Sequence, residues 1–205
     1  MQRFILVILL MIIVNGCSQK KIKFDDYTAS VKDFQYEMNK EFSDAETSPL
    51  TEEDQKDFKT LIFFPIDSTY SVKAKFELEK NPVLFEMPTT TDRLPIYKTY
   101  GNAIFNLHGK ELTLHIYQNQ ELIQKPEYKN HLFIPFTDTT NGIDSYGGGR
   151  YIDVEMPEGD TIVIDFNRSY NPYCAYNDKY SCPIPPKENN LPIAIYAGIK
   201  AFDNH

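Results

Sequence analysis

Three segments of the chain alternate strictly between apolar and polar residues, and this period of two restricts what they can fold into. The segments cover residues 72–78, 112–117 and 152–156. Successive side chains of a β-strand point to opposite faces of its sheet, so each segment is predicted to be a strand that buries one face only. The fourteen Tyr, fourteen Phe and thirteen Pro also favour a strand-rich fold, because aromatic residues prefer sheets and proline interrupts them.

Further strand candidates follow one another without a helical pattern between them, for a total of about eight or nine strands. These candidates lie near residues 83–87, 96–107, 132–136, 161–166 and 192–198. Turn signals at residues 108–111 and 157–160 predict hairpins between the strands that flank them. We therefore predict a mainly β fold of the α+β type, an antiparallel β-sandwich or partly closed barrel with N-terminal helices packed on it.

The segment before the strands has the pattern of helices. Apolar residues recur at spacings of three and four between Phe24 and Phe42, which predicts a helix at about residues 25–42. Thr51 and Asp54 have the spacing of a helix cap, so a shorter helix is predicted at about residues 51–58. No linker divides residues 24–205, which are expected to form a single globular domain.

The N-terminus has the organisation of an export signal. Arg3 precedes an apolar run at residues 4–14, which is too short to span a membrane because a spanning helix needs about 20 apolar residues. The sequence Val14-Asn15-Gly16-Cys17 resembles the lipobox of bacterial lipoproteins, in which the chain is cut before a cysteine that carries lipid. The alternative is an uncleaved N-terminal anchor with an incidental cysteine.

We therefore expect residues 1–16 to be a signal peptide, Cys17 to be lipidated and residues 17–23 to be a polar tether. The mature protein would then be an extracytoplasmic lipoprotein of the bacterial cell envelope, periplasmic or at the cell surface. Its expected partner is the membrane, through the lipid on Cys17.

Composition and motifs exclude several classes of function. The net charge is -8 and no basic cluster is present, which argues against nucleic acid as a partner. No phosphate-binding loop, paired histidines at metal spacing or Cys-x-x-Cys occurs, so no cofactor and no metal site is predicted. Cys174 and Cys182 remain as an even pair in an oxidising compartment, which predicts a disulfide, with metal ligation by the pair as the alternative.

A polar site is predicted where two strand candidates end. If the turn at residues 157–160 makes a hairpin, both registers that match the apolar faces bring Arg150 close to Asp165. We expect these two residues to form a salt bridge that holds the loop at 167–190 against the sheet. In one of the registers Asp153 also opposes Asp165, and such a carboxylate pair would need a cation or a raised pKa.

These residues support three hypotheses about function. The leading one is a non-catalytic protein that binds a small polar ligand or maintains the envelope. The second is a hydrolase-like enzyme, with Asp165 as acid or base and Arg150 or Arg168 binding an anionic group. The third is a structural or protein-interaction module. The ligand-binding candidates are Arg150, Tyr151, Asp165, Asn167, Arg168, Tyr170 and Asn171.

The glycine run at residues 147–149 has two interpretations. Three glycines let a backbone approach a ligand closely. Directly before a strand, however, glycines more often form a bulge or bend.

Several blocks in the C-terminal half have a distinctive order and spacing. They include Tyr146-Gly147-Gly148-Gly149-Arg150-Tyr151, Asp165-Phe166-Asn167-Arg168-Ser169-Tyr170-Asn171-Pro172 and Cys182-Pro183-Ile184-Pro185-Pro186. Together with Met87-Pro88-Thr89-Thr90 and Tyr100-Gly101, these blocks resemble the family known as domain of unknown function 1684. The resemblance covers most of the mature chain, and it implies no activity, substrate or cofactor.

Overall fold

Two α-helices precede the sheet in the computed structural model, which describes residues 24–202. Helix α1 spans Phe24–Ser43, and the short α2 spans Glu52–Asp57. The Thr51 hydroxyl accepts a hydrogen bond from the Asp54 backbone N–H at 3.1 Å, which caps the start of α2. The predicted signal peptide, Cys17 and the tether lie outside the described residues. Within the described part, none of the helices is both long and apolar enough to span a membrane.

Seven strands form one antiparallel sheet that curls into a half-barrel. The strand order is β6-β5-β4-β3-β1-β7, with β2 paired to the first part of β3. Their bounds are β1 Ser71–Leu78, β2 Leu84–Glu86, β3 Ile96–Leu107, β4 Lys110–Asn119, β5 His131–Phe136, β6 Arg150–Glu155 and β7 Thr161–Asp165. The fold is therefore mainly β and antiparallel, as predicted, but the sheet has seven strands and not eight or nine.

The predicted hairpin between β6 and β7 is wrong. Strand β6 pairs with β5, with Arg150 opposite Phe136, whereas β7 pairs with β1, with Asp165 opposite Ser71. Strands β6 and β7 are at opposite ends of the strand order, although the curl of the sheet brings them near each other. Matching of apolar faces did not identify the partner, because β5 and β1 offer apolar faces that fit equally well.

The segment near residues 192–198 was predicted to be a strand but joins no ladder of the sheet. Its apolar residues Ile195 and Ala197 are buried in the core, as in a strand. Their carbonyl oxygens, however, accept hydrogen bonds from the guanidinium of Arg150 and not from a neighbouring backbone. A charged side chain thus takes the place of a partner strand.

The two faces of the sheet are covered differently. The inner face packs into the main core, with Leu114, Ile134, Ile152 and Ile164 among its buried residues. On the outer face, helix α1 and the segment at residues 170–183 cover part of β3 to β6. Strand β5 is consequently buried on both faces, where alternation alone predicts one.

An asparagine side chain completes the weak pairing between β4 and β5. The Asn189 side-chain amide donates to the backbone oxygens of His115 and Pro135 at 2.9 and 2.7 Å. Its side-chain oxygen accepts from the His115 N–H at 2.8 Å. Because proline has no N–H to give to a ladder, the buried amide supplies the missing cross-strand contacts and fixes this part of the sheet.

Candidate functional site

A cavity of about 510 Å³ lies between the outer face of the sheet, helix α1 and the segment at residues 170–183. Six tyrosines line it, and we call it the tyrosine cavity. Its lining includes Phe34, Met38, Glu41, Phe42, Arg93, Tyr97, Asn119, Leu122, Tyr128, His131, Phe133, Tyr151, Asp153, Tyr170, Asn171, Pro172, Tyr173, Tyr180, Ser181, Cys182 and Pro183. The size suits a small organic molecule.

Aromatic side chains from strands β3, β5 and β6 form the floor of the tyrosine cavity. Tyr97 of β3, Phe133 of β5 and Tyr151 of β6 belong to one aromatic cluster, in which the Phe133 and Tyr151 rings meet edge to face at 4.7 Å. The backbones of Tyr151 and Tyr170 exchange two hydrogen bonds of 2.9 and 3.0 Å, and the Tyr151 hydroxyl donates to the carbonyl of Pro183. These bonds attach both ends of the covering segment to β6.

The two carboxylates of the tyrosine cavity are already hydrogen-bonded. Asp153 accepts from the Tyr170 hydroxyl at 2.7 Å and contacts His131 Nε2 at 2.9 Å, while Glu41 accepts from the Tyr173 hydroxyl. Burial, followed by the nearby carboxylate, raises the pKa of Tyr170 well above its ordinary value. Tyr170 is therefore a neutral hydrogen-bonding group at physiological pH.

Two buried acceptors of the tyrosine cavity have no partner among the described residues. Asn171 donates through its amide to the Tyr176 hydroxyl and the Lys200 carbonyl, but its Oδ1 is unpaired. His131 Nδ1 is also unpaired, and it is an acceptor in the neutral tautomer whose Nε2 donates to Asp153. A buried acceptor without a partner is costly, and both atoms belong to residues that line the tyrosine cavity.

Arg93 places a fixed positive charge at the rim of the tyrosine cavity. Its Nε donates to the Ser181 hydroxyl at 3.1 Å and its Nη2 to the Ser181 carbonyl at 2.9 Å. No acidic residue of the described chain forms a salt bridge with it. The guanidinium therefore retains donors for an anionic group.

Arg150 does not reach Asp165, and this predicted salt bridge is wrong. The Arg150 side chain is fully buried and binds Asp138 at 2.8 Å, together with the carbonyls of Ile195, Ala197 and Ile199. The strand period explains the error, since residue 150 shares the inner face of β6 with Ile152. Desolvation lowers the pKa of Arg150, and Asp138 opposes that shift. The interaction ties the C-terminal segment to the core.

The Asp165 group forms a separate polar cluster against α1. Asp165 accepts from the Tyr27 hydroxyl at 2.9 Å and from the Asn167 N–H at 3.1 Å, and Arg168 Nε lies 3.5 Å away. Arg168 also donates to Ser30. These contacts dock α1 onto the end of β7. Asp165, Asn167 and Arg168 do not line the tyrosine cavity. The acid or base of the hydrolase hypothesis, Asp165, therefore lies outside the tyrosine cavity.

Two further predictions about ligands and metals can be compared with the structure. Asp153 and Asp165 lie on β6 and β7, which do not pair, so they do not form the predicted carboxylate pair. Within residues 24–202 no group of three or more His, Cys, Asp or Glu side chains could hold a metal. Gly149 has a φ of 91°, and an added Cβ would lie 2.6 Å from the Phe136 carbonyl, which supports the bend interpretation of the glycine run.

The predicted disulfide is not confirmed. Cys174 and Cys182 are free thiols in the structure, although the Cys174 N–H donates to Cys182 Sγ at 3.1 Å. Cys182 is buried and lines the tyrosine cavity, whereas Cys174 is partly exposed.

Three of the seven predicted ligand-binding residues line the tyrosine cavity, namely Tyr151, Tyr170 and Asn171. The sequence did not indicate Arg93 or His131 as site residues, and it suggested Asp153 only as a partner of Asp165. The available signal was the aromatic character of positions 97, 117, 133 and 151, which belong to the supposedly solvated face of their strands. An aromatic residue at such a position indicates that something covers that face.

Comparisons with known proteins identify relatives but no activity. The family model described as "Protein of unknown function (DUF1684)" matches residues 56–200. A solution NMR structure of an uncharacterized protein from gene locus rrnAC0354 of Haloarcula marismortui is similar, with 34% identity and a TM-score of 0.68. The match covers 88% of this chain and 97% of that one. No curated protein matches the chain significantly.

Proposed function

The chain belongs to the DUF1684 family, and on that premise we propose that it is a binding protein whose tyrosine cavity holds a small polar ligand. The observation that carries the proposal is the tyrosine cavity itself, which combines six tyrosines with the guanidinium of Arg93, a group without a salt bridge among the described residues. Two of its lining residues, Asn171 and His131, also each have a buried polar atom without a partner among residues 24–202. A ligand with hydroxyl donors would pair with the polar groups of the lining.

The other lining groups narrow the chemical class of the ligand. Tyrosine rings bind the apolar face of a second ring, and sugar rings combine such a face with many hydroxyl donors. Arg93 favours an anionic substituent, because its guanidinium forms no salt bridge within residues 24–202. We therefore propose a ligand that resembles an acidic sugar.

The N-terminal sequence supports a proposal about the location of the protein. We propose that the chain is cut before Cys17 and held at the envelope membrane by lipid on that residue, which would keep the tyrosine cavity in an extracytoplasmic space. Mass spectrometry of membrane fractions should find a mature N-terminus at acylated Cys17, and Cys17→Ser should release the protein. Unchanged membrane attachment of that variant would contradict the anchor and leave the cavity proposal standing.

Equilibrium dialysis with two coloured or fluorescent probes tests ligand binding. The full chain should bind 4-methylumbelliferyl glucuronide more tightly than the neutral glucoside, because only the former has a carboxylate for Arg93. Arg93→Gln should weaken glucuronide binding by about tenfold, which corresponds to about 1.4 kcal/mol, and leave glucoside binding unchanged.

A matched tyrosine pair controls for effects on folding. Tyr128→Ala removes a ring from the tyrosine cavity, whereas Tyr36→Ala removes an exposed tyrosine of α1 that does not line it. Only Tyr128→Ala should weaken the binding of both probes. If neither probe binds and native mass spectra of the membrane-purified protein show no co-purified molecule, the proposal is wrong.

A further inference from the structure

Cys174 and Cys182 lie together in the segment that covers the tyrosine cavity. The Cys174 N–H donates to Cys182 Sγ at 3.1 Å, and the Tyr146 hydroxyl lies 3.9 Å from Cys174 Sγ. Around them the chain is fixed, since Thr90 N–H donates to the Cys182 carbonyl at 2.9 Å and Cys182 N–H donates to the Thr90 hydroxyl at 3.1 Å. The two thiols are thus held close to each other on an anchored scaffold.

We propose that Cys174 and Cys182 form a redox-active dithiol that exchanges with an external disulfide, with Cys174 as the attacking thiol and Cys182 as the resolving one. This division follows from exposure, because Cys174 is partly exposed and Cys182 is buried. A disulfide partner can approach the first sulfur, while the second is reached from within the protein.

The environment of each sulfur supports this division of roles. Hydrogen bonding from Cys182, with further bonds from Tyr146 and Thr90, lowers the pKa of Cys174 to about 7, against the opposing effect of burial. The pKa of Cys182 is raised, because it donates to Cys174 and is buried. These contacts favour the thiolate form at Cys174 and the thiol form at Cys182.

The exchange balances in two steps. The Cys174 thiolate attacks one sulfur of a disulfide R–S–S–R, so that a Cys174–S–S–R bond forms, the original S–S bond breaks and a thiolate RS⁻ leaves. Cys182 then gives its proton to that thiolate and attacks Cys174 Sγ, which releases the second RS⁻. The two protein sulfurs are oxidised to one disulfide, and the external disulfide is reduced to one thiol and one thiolate, the second of which takes a proton from water.

The experiment uses the full chain carrying Cys17→Ser, so that Cys174 and Cys182 are its only cysteines. At pH 7, iodoacetamide should modify Cys174 at least about tenfold faster than Cys182, as mapped by mass spectrometry. Glutathione disulfide should convert the reduced protein to the intramolecular disulfide, and excess reduced glutathione should reverse the reaction. In Cys182→Ser a mixed disulfide with glutathione should accumulate at Cys174.

A conservative tyrosine pair separates hydrogen bonding from exposure. Tyr146→Phe removes the hydroxyl near Cys174 Sγ and should slow its alkylation several-fold at pH 7, with less effect at pH 9. Tyr180→Phe, in the same segment, should leave the rate unchanged. The proposal is overturned if Cys182 reacts as fast as Cys174, if Cys182→Ser forms no mixed disulfide, or if the folded protein's disulfide resists reduced glutathione.

Discussion

Arg150 and Tyr151 are adjacent in β6, yet they serve opposite faces of the sheet. Arg150 is fully buried on the inner face, where Asp138 and three carbonyls take up its two terminal nitrogens. Tyr151 is on the outer face, in the floor of a cavity that leaves two acceptors without partners. The comparison teaches that a buried charge alone does not mark a binding site, because Arg150 holds the C-terminal segment in the core while its neighbour Tyr151 lines a cavity.

The largest effect is expected when the inner-face ion pair is broken. In Asp138→Asn the side-chain oxygen can still accept from the Thr140 and Ile195 N–H groups, but an amide now faces the Arg150 guanidinium. Because a buried charge is left without its partner, the free energy of unfolding should fall by about 3–5 kcal/mol. Urea denaturation of both proteins measures the difference.

Asp153→Asn is the matched control on the outer face. Asp153 is 46% exposed, so water can replace part of what the carboxylate loses, and the expected cost is below about 1 kcal/mol. If Asp138→Asn and Asp153→Asn lower the free energy of unfolding equally, the ion pair on the inner face is no more sensitive to the loss of its carboxylate than the outer face is.

The next largest effect is expected at alkaline pH, from the outer-face tyrosines. Burial raises the pKa of Tyr117 and Tyr151 above the ordinary value of about 10. Their stabilising contribution is therefore complete below pH 10 and is lost as pH rises, because the unfolded chain releases protons that the folded protein retains. At pH 11 each of these two tyrosines should lower the free energy of unfolding by about 1.4 kcal/mol, or by about 3 kcal/mol together.

Urea denaturation between pH 8 and pH 11, with tyrosinate absorbance as the probe of ionisation, measures this loss. In Tyr117→Phe the loss at pH 11 should be smaller by about 1.4 kcal/mol. An equal loss in both proteins would show that Tyr117 ionises in the folded state.

The sequence predicted local structure better than it predicted pairing. The spacing of apolar residues corresponds to α1, and the alternating segments correspond to β1, β4 and β6. Pairing depends on long-range contacts, and the turn at residues 157–160 connects β6 and β7 without making them a hairpin. A matched apolar face is necessary for pairing but does not identify one neighbour among several.

The candidate site was predictable only in part for the same reason. Tyr151 and Tyr170 could be found because they flank polar blocks near strand ends. Arg150 was misassigned although the period of two already placed it with Ile152. Arg93 and His131 belong to other parts of the chain, and only the folded sheet brings them to the tyrosine cavity.

Asn189→Ala should have an intermediate effect on the free energy of unfolding, because Asn189 joins strands β4 and β5. The substitution removes the three hydrogen bonds that join His115 and Pro135 through a buried amide. The expected loss is about 2 kcal/mol, because backbone groups are left unpaired away from water. Asn190→Ala, at the exposed neighbouring position, should cost less than about 0.5 kcal/mol in the same urea experiment. Equal losses would contradict the bridging role.

The smallest effect on stability is expected for Tyr170→Phe, which removes the hydroxyl that donates to Asp153 at 2.7 Å. Asp153 keeps its contact with His131 and its access to water, so the free energy of unfolding should fall by less than about 1 kcal/mol. The freed carboxylate lies in the tyrosine cavity, however, and would repel an anionic ligand. Binding of 4-methylumbelliferyl glucuronide should therefore weaken more than binding of the glucoside. A loss of stability as large as that of Asp138→Asn would instead mean that the outer face is sealed like the inner one, and that the tyrosine cavity is a packing feature and not a binding site.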